Sequence, residues 1–173
     1  MSAITTTITD SLRGIPPELA TLIMSALPVT ELRGALPIAL IVFKLPLASA
    51  FFWAVLGNLL PAWLLLISFE LVTAYLRPRS QTYDKLCNWL FARTRRKLSR
   101  QVEKYGPWAL ALFVGIPLPV TGVWTGALAA FVFGLEKKRA FLALAAGAVI
   151  AAVIVSCLTL GAIHLPNLLS RAL

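Results

Sequence analysis

The stretch LPVTELRGALPIAL, from Leu27 to Leu40, sets an acid and a base, Glu31 and Arg33, between two helix-breaking prolines in otherwise apolar sequence. A charge at the centre of a bilayer costs at least about 2.5–3.5 kcal/mol, so such residues are normally paired and functional. Whether the stretch lies in a bilayer is decided by its surroundings. Of 173 residues 59% are apolar and 13% charged, against roughly 45–50% and 25% in soluble domains. The chain therefore belongs in a membrane, as a single unit with only a few crossings.

Four apolar stretches follow one another. A helix crossing about 30 Å of hydrocarbon needs about 20 apolar residues. Residues 45–76 and 138–165 meet that requirement and are expected to be transmembrane helices; the second is crowded with Ala and Gly, which permits close helix packing. Residues 15–43 and 105–134 are long enough but broken in the middle. Pro28, Gly34 and Pro37 flank the charges of the first, and Pro117, Pro119, Gly122 and Gly126 punctuate the second. Proline inside a helix removes a hydrogen bond and clashes with the preceding turn. Each stretch is thus expected to form two half-helices around an unwound centre, a re-entrant hairpin reaching about halfway through the bilayer.

The two halves echo each other. L-P-V-T at Leu27–Thr30 recurs at Leu118–Thr121, and G-A-L at Gly34–Leu36 recurs at Gly126–Leu128, with one residue inserted between. Charge then orients the units. Nine of the 16 basic residues lie between Arg77 and Lys104, and Lys137, Lys138 and Arg139 add three. Basic loops beside apolar spans face the cytoplasm, which places 12 basic residues inside and turns the two units upside down relative to each other. The expected fold is an all-α integral membrane protein, an inverted repeat of hairpin plus span, with the site where the broken helices meet. Residues 80–104 read as a cytoplasmic amphipathic helix on anionic headgroups, with Trp89 and Phe91 at headgroup level.

The net charge of +9 is absorbed by this topology, so nucleic acid is not expected as a partner. Cys87 and Cys157 should not pair, and no metal-ligand spacing occurs. The N-terminal MSAITTTITDSLRG lacks the pattern of a signal peptide. Without a catalytic constellation or a nucleotide loop, no enzymatic activity or cofactor is expected. A membrane of the prokaryotic cytoplasmic type, multi-pass insertion, and a homodimer or higher homo-oligomer are the expected setting.

ELRGALPIAL in the first hairpin, and YGPWALALFVGIPLPVTGVWTGALAAFVFGL through the second, resemble the prokaryotic small multidrug export protein family, and more distantly the DedA and VTT-domain membrane proteins. The resemblance runs from about Pro28 to Cys157. It implies paired re-entrant hairpins and the movement of phosphorylated polyprenyl carriers or phospholipids. One departure stands out. The DedA relatives carry Arg in the second hairpin, whereas Phe113 to Phe133 is uncharged here, so phosphate recognition would fall to Arg33.

The candidate substrate site is therefore Glu31 and Arg33, with Thr30 as an N-cap and Thr121, Trp124 and Thr125 lining the same cavity. Pro28, Gly34, Pro37, Pro117, Pro119, Gly122 and Gly126 shape the hairpins. Asn58 and Glu70 are second contributors, Asn58 at a kink with Pro61 and Glu70 facing the basic segment. A lipid translocase, an ion-coupled small multidrug exporter and a non-transporting scaffold make different demands. A phosphate needs Arg33, a cationic drug needs Glu31, and a scaffold needs only the basic segment.

Overall fold

In the computed structural model, residues 14–82, 84–85, 88–89, 105–117 and 122–172 are described. All regular structure among them is helical: α1 Pro17–Ala26, α2 Glu31–Ile41, α3 Leu47–Leu76, α4 Tyr105–Gly115, α5 Val123–Val132 and α6 Lys137–Ala172. Two short helices and one long one follow each other twice. Both long helices are long and apolar enough to cross a membrane. Two compact units divide the chain after Asn58 and again before Ala148. The first holds α1, α2, the start of α3 and the end of α6; the second holds the remainder.

Local chemistry explains the boundaries. Pro17 opens α1, where its missing N–H is no loss, and Glu18 complements the positive helix end. Pro28 closes it by forcing Leu27 into an extended conformation. Between α5 and α6, Gly134 takes φ +64°, and the Gly134 and Leu135 amides donate to the Phe131 and Ala130 carbonyls, satisfying the end of α5.

The first unwound segment is shorter than expected. Only residues 27–30 separate α1 from α2; Gly34 and Pro37 lie inside α2. A proline near the end of a short helix can be accommodated by withholding one amide, here from the Arg33 carbonyl, without breaking the helix. Pro61 is likewise housed within α3. In the second hairpin α4 ends at Gly115 and α5 begins at Val123, with Gly126 inside α5. Thr121, Pro119 and the second L-P-V-T lie outside the described residues, as does most of 80–104. In that segment residues 81–82, 84–85 and 88–89 are helical, and Trp89 is exposed.

Each unit is built on small residues. In the first, α2 contributes Leu32, Leu36 and Ala39 to a core shared with Ala50 and Ala54 of α3 and with Ala151, Ala152 and Val155 of α6. Phe52, Leu142, Val153 and Leu158 point outward. Small residues inside and large apolar ones outside is the pattern of helices that pack in lipid. The second unit adds aromatic contacts, Trp63 on Phe141 and Phe69 on Phe131, each with ring centres 5.1 Å apart.

A glycine of each long helix touches the first helix of its hairpin. A Cβ on Gly57 would stand 2.2 Å from the Leu22 carbonyl oxygen, and one on Gly147 would stand 2.7 Å from that of Ala111. Three residues away along each pair the approach continues. The Ser25 hydroxyl donates to the Ala54 carbonyl, and Val114 and Leu144 both press on Gly126. Gly161, in the same helix as Gly147, has nothing near its Cα face. Gly161→Ala should accordingly be neutral or stabilising by up to about 1 kcal/mol, read as an unchanged or raised thermal midpoint in detergent.

Candidate substrate site at the tip of the first hairpin

The turn that carries Glu31 and Arg33 is drawn closed from below. α1 packs against α2, and the buried Thr30 hydroxyl donates to the Met24 carbonyl near the end of α1. Thr30 thus precedes α2 but does not cap it through its side chain. The sequence pattern points to an N-cap; the hydroxyl instead joins the Leu27 amide on the Met24 carbonyl at the end of α1, where it fixes the tip. The Glu31 and Gly34 amides donate to the Leu27 and Thr30 carbonyls at 2.9 and 2.8 Å.

Glu31 takes φ +46°. A non-glycine residue in this left-handed region costs on the order of 1 kcal/mol or more and persists where its surroundings over-determine it. Here Thr30 is tied down on one side, and Leu32 and Ala35 are buried on the other. Glu31 and Arg33 themselves are half-buried. The Glu31 carboxylate is close enough to interact electrostatically with Arg33, and it stands in the first turn of α2, at that helix's positive end. The tip therefore presents a cation fit for bidentate phosphate recognition and an acid able to exchange a proton or a counter-charge. Glu31→Gly should relieve the backbone strain and raise the thermal midpoint while removing the carboxylate, so stability and activity should move in opposite directions.

Asn58 belongs to the same unit. It is 4% exposed, and its Oδ1 has no hydrogen-bond partner among the described residues. It follows Gly57, whose carbonyl receives no amide from Pro61. Two polar groups of α3 are thus under-satisfied in an apolar span.

In the second unit, Gly122 precedes α5 in extended backbone, and the Thr125 hydroxyl donates to its carbonyl at 3.0 Å. Among the described residues the buried Trp124 indole N–H has no hydrogen-bond partner, which leaves a donor for a bound group. Glu70 lies beside the end of α5, on one cavity wall with Phe131. It forms an ion pair with Lys137 at the start of α6. Arg77 binds the beginning of the basic segment: its guanidinium donates to Asn88 Oδ1 at 3.1 Å and lies 3.5 Å from Asp84, while Asn88 donates to Asp84 at 3.0 Å.

Sequence reasoning missed Gly57, Ser25 and Gly147, the residues that seat each hairpin on its long helix. The signal was a glycine at the eleventh residue of each long helix. Comparison with known proteins places these features in a family. The model of the family described as "Putative small multi-drug export protein" matches residues 31–154, from Glu31 at the start of α2 to a point within α6. No curated protein and no solved structure matches the chain. Nearly three-quarters of the chain falls within that match, and the chain belongs to the small multi-drug export protein family.

Proposed function

We propose that the protein is a multi-pass transporter of the prokaryotic cytoplasmic membrane that moves a phosphate-bearing lipid, such as a polyprenyl phosphate carrier, recognised by Arg33 with Glu31 as its counter-charge. The observation carrying this reading is the strained, half-buried acid–base tip between two short helices. α1 and α2 have 10 and 11 residues, each roughly half the hydrocarbon thickness at about 1.5 Å per residue, so a re-entrant hairpin would hold the tip near the midplane. The repeated glycine contact supports a duplicated unit of hairpin plus span. The flanking basic residues support its inversion. The resemblance of the hairpins to DedA and VTT-domain translocases supports a lipid substrate.

A second reading is export of a cationic drug. The family description favours it, and Glu31 would be the recognising group. Translocation in proteoliposomes separates the two. With a headgroup-labelled phospho-lipid as substrate, Glu31→Gln should retain transport and Arg33→Gln should lose it. Transport of a lipophilic cation that depends on Glu31 and not on Arg33 would establish the drug reading instead.

A further inference from the structure

The second unit contains a cavity of about 570 Å³ that the hairpin site does not use, a volume in the range of small-ligand sites. Its wall carries four charged residues, Glu70, Arg77, Glu136 and Lys137. Leu66 and Phe131 supply an apolar face, with Phe131 held by its stack on Phe69. Arg77 directly follows the last residue of α3, and Lys137 is the first residue of α6. The cavity therefore lies where two long apolar helices leave the hydrocarbon, at the level of lipid headgroups.

Its charges are balanced. Glu70 pairs with Lys137, Glu136 with Arg139 at 3.1 Å, and Arg77 with Asp84 at 3.5 Å. An anionic headgroup entering this arrangement would draw Lys137 away from Glu70 and leave a carboxylate uncompensated. A cationic one would strand Lys137 in the same way. A zwitterion exchanges the partners of the Lys137–Glu70 pair one for one: its phosphate meets Lys137, with Arg77 on the same wall, and its ammonium meets the Glu70 carboxylate released. These pairs are partly solvent-exposed, so each holds its members loosely, and a ligand that offers both a phosphate and an ammonium re-pairs the Lys137 and Glu70 side chains at little cost.

We propose that this cavity binds a zwitterionic phospholipid with a primary ammonium headgroup, of the phosphatidylethanolamine class. The phosphate is held by Lys137 and Arg77, the ammonium by Glu70 and Glu136, and the first acyl carbons lie on Leu66 and Phe131. A primary ammonium donates up to three hydrogen bonds to carboxylates; a quaternary one donates none. The site is separate from the hairpin tip and does not depend on what that tip transports.

The test is native mass spectrometry of the full chain titrated in detergent with phosphatidylethanolamine, phosphatidylcholine or phosphatidylglycerol of matched acyl chains. The wild type should retain phosphatidylethanolamine at least about tenfold better than either of the others. Glu70→Gln should abolish the preference over phosphatidylcholine, and Lys137→Gln should lower retention of both zwitterions. Lys44→Gln, at a basic residue that does not line the cavity, should leave retention unchanged. Soluble phosphoethanolamine at the same concentration should give no adduct. Equal retention of phosphatidylglycerol, or a preference that survives Glu70→Gln, overturns the proposal. So does loss of the adduct in Lys44→Gln, which would put the lipid outside the cavity, or an equal adduct with soluble phosphoethanolamine, which would make the ligand a free headgroup. Should Lys137→Gln fail to yield monodisperse protein, the isosteric Glu70→Gln decides the matter alone.

Discussion

Replacement of Gly57 by valine should leave little correctly folded protein. A Cβ there stands 2.2 Å from the Leu22 carbonyl oxygen and 2.9 Å from both Leu22 C and Cα. All three are backbone atoms of α1, so no side chain can rotate away. Relief requires α1 and α3 to separate, which also pulls the Ser25 hydroxyl from the Ala54 carbonyl. Overpacking a tight interior costs typically 1–3 kcal/mol and sometimes more; a clash with backbone belongs at or beyond about 3 kcal/mol. The measurement is the monodisperse fraction after detergent extraction, with the thermal midpoint of whatever folds. Gly126→Ala offers an internal comparison. Its Cβ would meet Val114 Cγ2 at 2.6 Å and Leu144 Cδ2 at 2.7 Å, both ends of side chains with other rotamers, so the loss should be smaller. Wild-type yield and midpoint in Gly57→Val would mean that α1 does not cross α3 at this point.

Arg33→Ala should reduce transport of a phosphate-bearing lipid by about 10- to 100-fold. Charge-assisted hydrogen bonds contribute about 1.5–3 kcal/mol each, and a deep site has no water to replace them. Deletion of the guanidinium also leaves Glu31 without its compensating charge, on a residue whose backbone is already in the left-handed region. The effect on recognition is therefore separated from the effect on folding by Arg33→Lys. It keeps the charge but loses the planar fork that grips two phosphate oxygens. Arg33→Lys should fold as well as the wild type and transport at an intermediate rate. A rate equal to the wild type in both variants would leave the tip with a structural role only.

The long helices were legible because apolar runs of span length have few alternatives in a chain this poor in charge; α3 and α6 begin within two residues of the expected positions. The break between α1 and α2 was legible from Pro28. The extent of the first break was not. Gly34 and Pro37 carry the same letters whether they unwind a helix or sit within one, and the hydrogen bonds of residues 27–31 decide between the two. Glu31 and Arg33 were identifiable as candidates because intramembrane charges are rare. The left-handed backbone of Glu31 was not, since it arises from Thr30 reaching back to Met24 and from the burial of Leu32. Nor could the sequence show that Glu70 pairs with Lys137 across 67 positions or that a cavity opens beside them.

Recognition of a lipid phosphate by Arg33 is tested most directly by equilibrium binding of polyprenyl phosphate to purified protein, read by native mass spectrometry for the wild type, Glu31→Gln and Arg33→Gln. The wild type and Glu31→Gln should both carry the lipid, and Arg33→Gln should carry at least about tenfold less. Undiminished binding by Arg33→Gln, with loss in Glu31→Gln, would contradict the account and assign the tip to a cationic substrate.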